Sequence, residues 1–310
     1  MPHSLYSTQS PITDPGPMAP YIAALGGDLA TVRRLVSGLI THYRDPGFAV
    51  YGIPEERRAE IDTRYAAAML ERLRDLDPSP LGTERPVARR LIGCCRDFTV
   101  LTVTLLRAAG VPARSRVGFA GYFAPGWWID HVVAEVWDAA AGRWRLADAN
   151  LGPDRWEYGN DGAAFDAADV PRDLFLTGPA AWRACRNGER DPDRFVVAPD
   201  IDIPYLRGWS YLRHNLVQDL AALDKREMLL WDTWGLLDDT PSWPATLELL
   251  DRVAAVAGDP DPSPAAVQAL FVAAPMLRVP ATVTSISPLT GDVRTVAVDL
   301  GAEGQGPNLA

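Results

Sequence analysis

The sequence predicts an α+β fold in which one buried helix packs on an antiparallel sheet and a helix-rich extension follows. Three observations lead there. The stretch CRDFTVLTVTLLRAAG has helix length and carries Phe98, Val100, Leu101, Val103, Leu105 and Leu106 on nearly all sides, as a helix enclosed by protein does. Three strand-like runs come next, ARSRVGFAGYF, WIDHVVAEVWD and RWRLAD, and only AAAG separates the last two, which signals an antiparallel hairpin. From Tyr205 to about Ala257 the pattern is mostly helical.

The elements follow in chain order. Residues 1–20 are rich in Pro, Ser and Thr and read as an irregular N-terminal tail. Asp28 is placed to cap a helix running to about Tyr43, with Leu29, Val32, Leu35 and Leu39 on one stripe. RDPGFAVYGIPEE is a loop. A second helix over roughly Glu55–Leu76 sets Tyr65, Met69, Leu73 and Leu76 at helical spacing, and DPSPLGTERP breaks it. A short helix through Arg89–Ile92 leads to Gly93. The buried helix ends at Gly110 and Pro112. Residues 152–175 are loop-rich, and a short helix is expected around Ala180–Arg186. In the helical part, Asp219, Asp224, Glu227 and Asp232 are expected on a solvated face, with Trp209, Trp231 and Trp234 as contacts to the core. VPATVTSIS and DVRTVAVDL flank PLTG, a second hairpin signal. The expected division is a tail over 1–20, a core over 21–200, a helical extension over 201–275, and a hairpin with a tail over 276–310.

Composition narrows the function classes. Apolar residues make up 47% and charged residues 23%, the balance of a soluble globular protein. A net charge of −10 argues against a nucleic-acid surface or an anionic membrane as partner. The apolar runs fall short of the roughly 18 residues of a membrane span. The first residues lack the basic start and apolar stretch of an export signal, so a cytoplasmic location with reduced thiols is expected. Three cysteines cannot form a disulfide framework. Adjacent cysteines and scattered histidines lack metal-ligand spacing, and no glycine-rich phosphate loop occurs, so neither metal nor cofactor is expected. Lys225 is the sole lysine, which fits the codon bias of a GC-rich genome and carries no functional reading.

The candidate chemistry lies between Gly93 and Asp148. Cys95 opens the buried helix, where free backbone N–H groups and the helix dipole favour a thiolate. The same N–H groups can hold an oxyanion, and Gly93 would permit close approach by a substrate. His131 lies within a strand. If 138 and 141 close the hairpin, His131 faces Asp148; if the turn closes wider, Asp148 is its diagonal neighbour. Either register puts both on one face, and a slip by one residue would separate them. His3 sits in the tail, His42 at a helix end, and His214 in a long helix as a packing residue.

GCCRDFTVLTVTLLRAAGVPAR followed by DHVVAEVWDAAAGRWRLADAN resembles the core of the transglutaminase-like superfamily. Gly93, Cys95, Asp97 and Phe98 match its opening motif. Arg107–Arg114 match its helix end, His131 with Glu135 its histidine strand, and Trp144 with Asp148 its aspartate strand. The resemblance covers about residues 84–150. It implies a papain-like fold and catalytic roles for Cys95, His131 and Asp148: a cysteine enzyme that forms a thioester acyl-enzyme and passes the acyl group to an amine or to water. Bacterial relatives that form amides make a small-molecule, peptide or carrier-bound acyl substrate the expected partner. Trp127 and Trp128, just before the histidine strand, are candidates to shape the acceptor entrance. The alternative is a binding module that keeps the fold without catalysis; such relatives usually lose the cysteine or the histidine. Thiol redox chemistry at Cys94–Cys95 is disfavoured because adjacent cysteines close only a strained ring.

Overall fold

The central helix starts where its side chains can cap it. In the computed structural model, which describes residues 3–152, 165–238 and 243–301, Cys94 is extended, and the Asp97 carboxylate accepts its backbone N–H at 2.8 Å. An acid at the third helical position that reaches back to the residue before the helix satisfies a donor the helix cannot. Helix α4 (Cys95–Ala108) is buried from Cys95 through Arg107 and ends at Gly110, which takes the left-handed conformation (φ +77°). Both features agree with the sequence reading.

Ahead of it lie α1 (Ala19–Ile22), α2 (Leu29–Leu39), β1 (Ile40–His42), α3 (Ala66–Leu76) and β2 (Leu91–Gly93). Three expectations are corrected here. The first helix stops at Leu39, because Ile40–His42 pair in parallel with Leu91–Gly93, which are therefore strand and not helix. The second helix is divided: a 3₁₀ stretch covers Glu55–Asp62, extended residues follow, and α3 begins only at Ala66. The described part of the N-terminal tail is irregular but packed, with Tyr6, Ile12, Thr13 and Met18 buried, and the Tyr6 hydroxyl donates to the Leu223 carbonyl at 3.0 Å.

The main sheet comprises β3 (Ala113–Ala120), β4 (Trp128–Asp138), β5 (Arg143–Ala147) and β6 (Phe175–Thr177). Its order is β5-β4-β3-β6, antiparallel throughout, and β7 (Phe195–Val196) adds in parallel to the start of β4. Asp138 pairs with Arg143, the wider of the two closures. Gly142 (φ +63°) takes the left-handed turn position, and Asp138 Oδ1 accepts the N–H groups of Ala140 and Ala141 at 3.0 Å. Strand β3 is buried end to end, with α4, α5 (Gly178–Arg186) and α6 (Gly208–Leu223) against it.

The remaining elements are β8 (Asp232–Thr233), α7 (Leu247–Ala257), α8 (Pro264–Ala273), β9 (Thr282–Ile286) and β10 (Val293–Ala297). The terminal hairpin has a third strand, because β8 pairs with β9. The region from 201 is not a layer added outside the core: residues of α2, α4, α6, α7 and α8 share one hydrophobic cluster. Residues 224–238 are largely irregular rather than helical, and a 3₁₀ turn at Trp243–Thr246 leads into α7. Asp219, Glu227 and Asp232 are not solvated but buried, paired with Arg116, Arg107 and Arg64; only Asp224 is partly exposed. Trp234 is a core contact as expected. Half of the stretch 152–175, read as loop-rich, falls outside the described residues; over 165–174 the chain is turns and irregular segments. None of the described helices is long and apolar enough to cross a membrane.

Candidate active site

Cys95, at the first turn of α4, and His131, on β4, line one cavity of about 910 Å³. His131 Nε2 lies 2.7 Å from Asp148 Oδ2. Asp148 follows β5 as the diagonal neighbour of His131, and both side chains lie on one face. With Nε2 engaged by the carboxylate, Nδ1 is the ring atom left for the Cys95 sulfur, and the imidazole helps to lower that thiol. Asp148 is held in turn by the Tyr122 hydroxyl at 2.6 Å and by the Asn150 N–H at 2.8 Å on its other oxygen.

The electrostatics follow from these contacts. The Cys94 thiol donates to the Cys95 sulfur; with the His131 bond and charge, this outweighs burial and lowers Cys95 to about 5. The same bond, together with burial, pushes Cys94 well up, so Cys94 keeps its proton. Burial alone would lower His131, but the Asp148 carboxylate and the Cys95 thiolate raise it to about 10. Both shifts favour thiolate and imidazolium over the neutral pair. Asp130, one residue before His131, is raised to about 7 by burial and by the Cys95 charge, against hydrogen bonds from Asn215 and Tyr211.

The other expected site residues lie elsewhere. Trp127 and Trp128 are not among the residues lining this cavity. Trp128 stacks on Phe195 at 5.7 Å, drawn there by the β4–β7 pairing, and the Arg194 guanidinium lies over Trp127. Gly93 does not line the cavity either. It pairs with His42, and a side chain there would meet Asp97 Oδ2 and Ile40 Cγ2 at 3.0 Å, so glycine serves packing beneath the helix start. His3 stacks on Trp137 at 3.8 Å. His42 and His214 do line the cavity, and so do Tyr43, Asp130, Tyr211 and Trp231. His214 meets the Leu230 carbonyl through Nε2 at 2.8 Å, and burial lowers it to about 4, which leaves it neutral. The indole N–H of Trp231 is buried without an acceptor among the described residues.

Residues 38–149 match the model of the transglutaminase-like superfamily. The matched span contains Cys95, His131 and Asp148 and reaches further back than the motifs do, to include β1 and α3. Over that span the chain is thus similar to a transglutaminase-like core, and its structure there sets a cysteine-bearing helix against an antiparallel sheet. A solved structure from Cytophaga hutchinsonii, described as a candidate cysteine protease, is similar at 16% identity and a TM-score of 0.33, over 56% of this chain. The present chain spans 44% of that protein's length. No curated protein matches it.

Proposed function

We propose that this protein is a cysteine enzyme of acyl chemistry, with Cys95 as nucleophile, His131 as acid and base, and Asp148 as the residue that orients His131. The observation that carries this reading is the relay from Cys95 through His131 to Asp148, set on the wall of a cavity large enough for a substrate. The thiolate attacks a carboxamide, peptide or thioester carbonyl. The tetrahedral oxyanion is met by the N–H groups at the start of α4, which have no partner within the helix. The Trp231 indole N–H, buried and unclaimed beside Cys95, is the side-chain donor for the same oxygen. His131 gives its proton to the leaving group as the carbon–heteroatom bond breaks, and an acyl-thioester remains on Cys95. An amine or water then takes the acyl group, and His131 accepts the proton released.

Intact-mass analysis after incubation with activated acyl donors tests this. An added acyl mass that maps to Cys95 and is absent from Cys95→Ala is expected. Acylation confined to Cys94 or Cys185, or none in the unaltered protein, would refute the assignment.

A further inference from the structure

Among the described residues the buried carboxylates are each paired with a cation, and the half-buried Asp130 breaks that pattern. Asp97 is paired with Arg96, Glu135 with Arg114 and Arg116, Asp148 with His131, Asp219 with Arg116, Glu227 with Arg107, and Asp232 with Arg64. Asp130 meets only neutral donors. Asn215 Nδ2 donates to its Oδ1 at 2.9 Å, and the Tyr211 hydroxyl donates to its Oδ2 at 2.8 Å. No arginine or lysine among the described residues forms an ion pair with it. A carboxylate offers about four acceptor positions, so two remain, and Asp130 borders the same cavity as Cys95 and His131.

The holders of Asp130 are themselves fixed. Asn215 also donates to the Gly118 carbonyl at 3.0 Å, and the Tyr211 ring lies flat against His214 with ring centres 5.3 Å apart. Since His214 is neutral, it supplies no counter-charge. The neighbouring His131 lends Asp130 some positive charge but is shared with Cys95 and Asp148, and the cavity is the route by which a further cation can reach the open acceptor positions of this half-buried carboxylate.

We propose that Asp130 receives the amino group of the acyl acceptor, so that the second substrate of the site is a primary amine rather than water. This rests on the acyl-enzyme reading above. The amine arrives as ammonium and passes one proton to the Asp130 carboxylate, which returns it to solvent. The freed nitrogen attacks the thioester carbonyl. A carbon–nitrogen bond forms, the carbon–sulfur bond breaks, and its electron pair returns to Cys95 as thiolate. The second amine proton goes to His131, neutral since the first half-reaction, and restores the imidazolium. The position of Asp130 near 7 suits such a transfer at neutral pH.

The test compares two nucleophiles on one acyl-enzyme, formed with p-nitrophenyl butyrate. Butylamine is a cation at neutral pH, whereas hydroxylamine is uncharged. The readout is the ratio of aminolysis to hydrolysis, which is internal to each protein and independent of its overall rate. In Asp130→Asn the ratio for butylamine is expected to fall about tenfold or more, while the ratio for hydroxylamine holds. Equal loss with both nucleophiles would show a merely structural role, and no loss with either would overturn the proposal. In the unaltered protein, butylguanidinium, a cation that is not acylated, should compete with butylamine, and neutral pentanamide should not; equal effects of the two would also overturn it. If the unaltered protein forms no butyryl adduct on Cys95, the acyl-enzyme reading fails and this proposal falls with it. If the adduct forms and only the amine preference is missing, Asp130 alone is misassigned.

Discussion

Strand β4 carries two groups of buried charge four residues apart, and they do opposite things. Around Glu135 the partners are guanidinium groups: Arg114 at 2.7 Å, Arg116 at 3.0 Å and Arg172 at 2.6 Å, with Arg116 also forked onto Asp219. Burial pulls Glu135 upward, but these cations drive it far below the usual carboxylate range. Arg116 is held charged in the same way, its carboxylates outweighing burial. Around His131 the partners are a thiol, carboxylates and hydroxyls, and the groups come to rest near 5, 7 and 10. Both groups are buried, so burial does not mark the site. An arginine partner freezes the charge, while an imidazole partner leaves a proton that can move.

The comparison can be broken from either side. His131→Gln keeps a neutral hydrogen-bonding group beside Asp148 but cannot carry the proton. It should lower acyl-enzyme formation by roughly 10²–10⁴-fold, followed as p-nitrophenolate release under conditions where urea unfolding shows the variant folded; unchanged acylation would make His131 part of the structural seam instead. Asp219→Asn should do the reverse. It strips one carboxylate from Arg116 and should cost about 3–5 kcal/mol of stability in urea unfolding, while the protein that remains folded still acylates. Trp231→Phe keeps the ring and removes the N–H. If that donor meets the oxyanion, acylation should fall by about 10²–10³-fold; a fall equal to that of Trp209→Phe would remove Trp231 from the mechanism.

The smallest effect concerns Asp130 and pH. The folded protein holds Asp130 near 7, whereas an unfolded chain holds it near about 3.9. Between these values the fold binds a proton that the unfolded chain does not, so this carboxylate's contribution to stability declines as pH rises. Asparagine does not titrate. The melting temperature of Asp130→Asn relative to the unaltered protein should therefore rise from pH 5 to pH 8. A constant difference would mean that Asp130 does not titrate in the fold.

Much of this was legible in the sequence. Alternation along WIDHVVAEVWD and RWRLAD put His131 and Asp148 on one face whichever way the turn closed, and the structure has them 2.7 Å apart. The all-round apolar pattern of α4 announced its burial. What could not be read depends on contacts distant in sequence. The acidic residues of the helical part looked solvated because their arginine partners lie 103 and 120 positions away for Asp219 and Glu227. Trp127 and Trp128 lie close to the histidine in sequence but are turned toward β7 and its neighbours. Tyr122 and Cys94 carry no spacing signal; their roles exist only once β3, β5 and the start of α4 meet. The cavity wall drawn from His214, Trp231 and the last hairpin is a tertiary fact of the same kind.

The claim beneath all of this is that Cys95 rests as a thiolate paired with the His131 imidazolium. Its most direct test is the rate of iodoacetamide alkylation across pH, with the labelled residue identified by peptide mapping. Cys95 should be the residue labelled, with the rate falling on acidification through a midpoint near 5, and Cys94 and Cys185 should stay unlabelled. A midpoint near about 8.5, the value of a free thiol, or labelling that favours Cys94, would contradict the account.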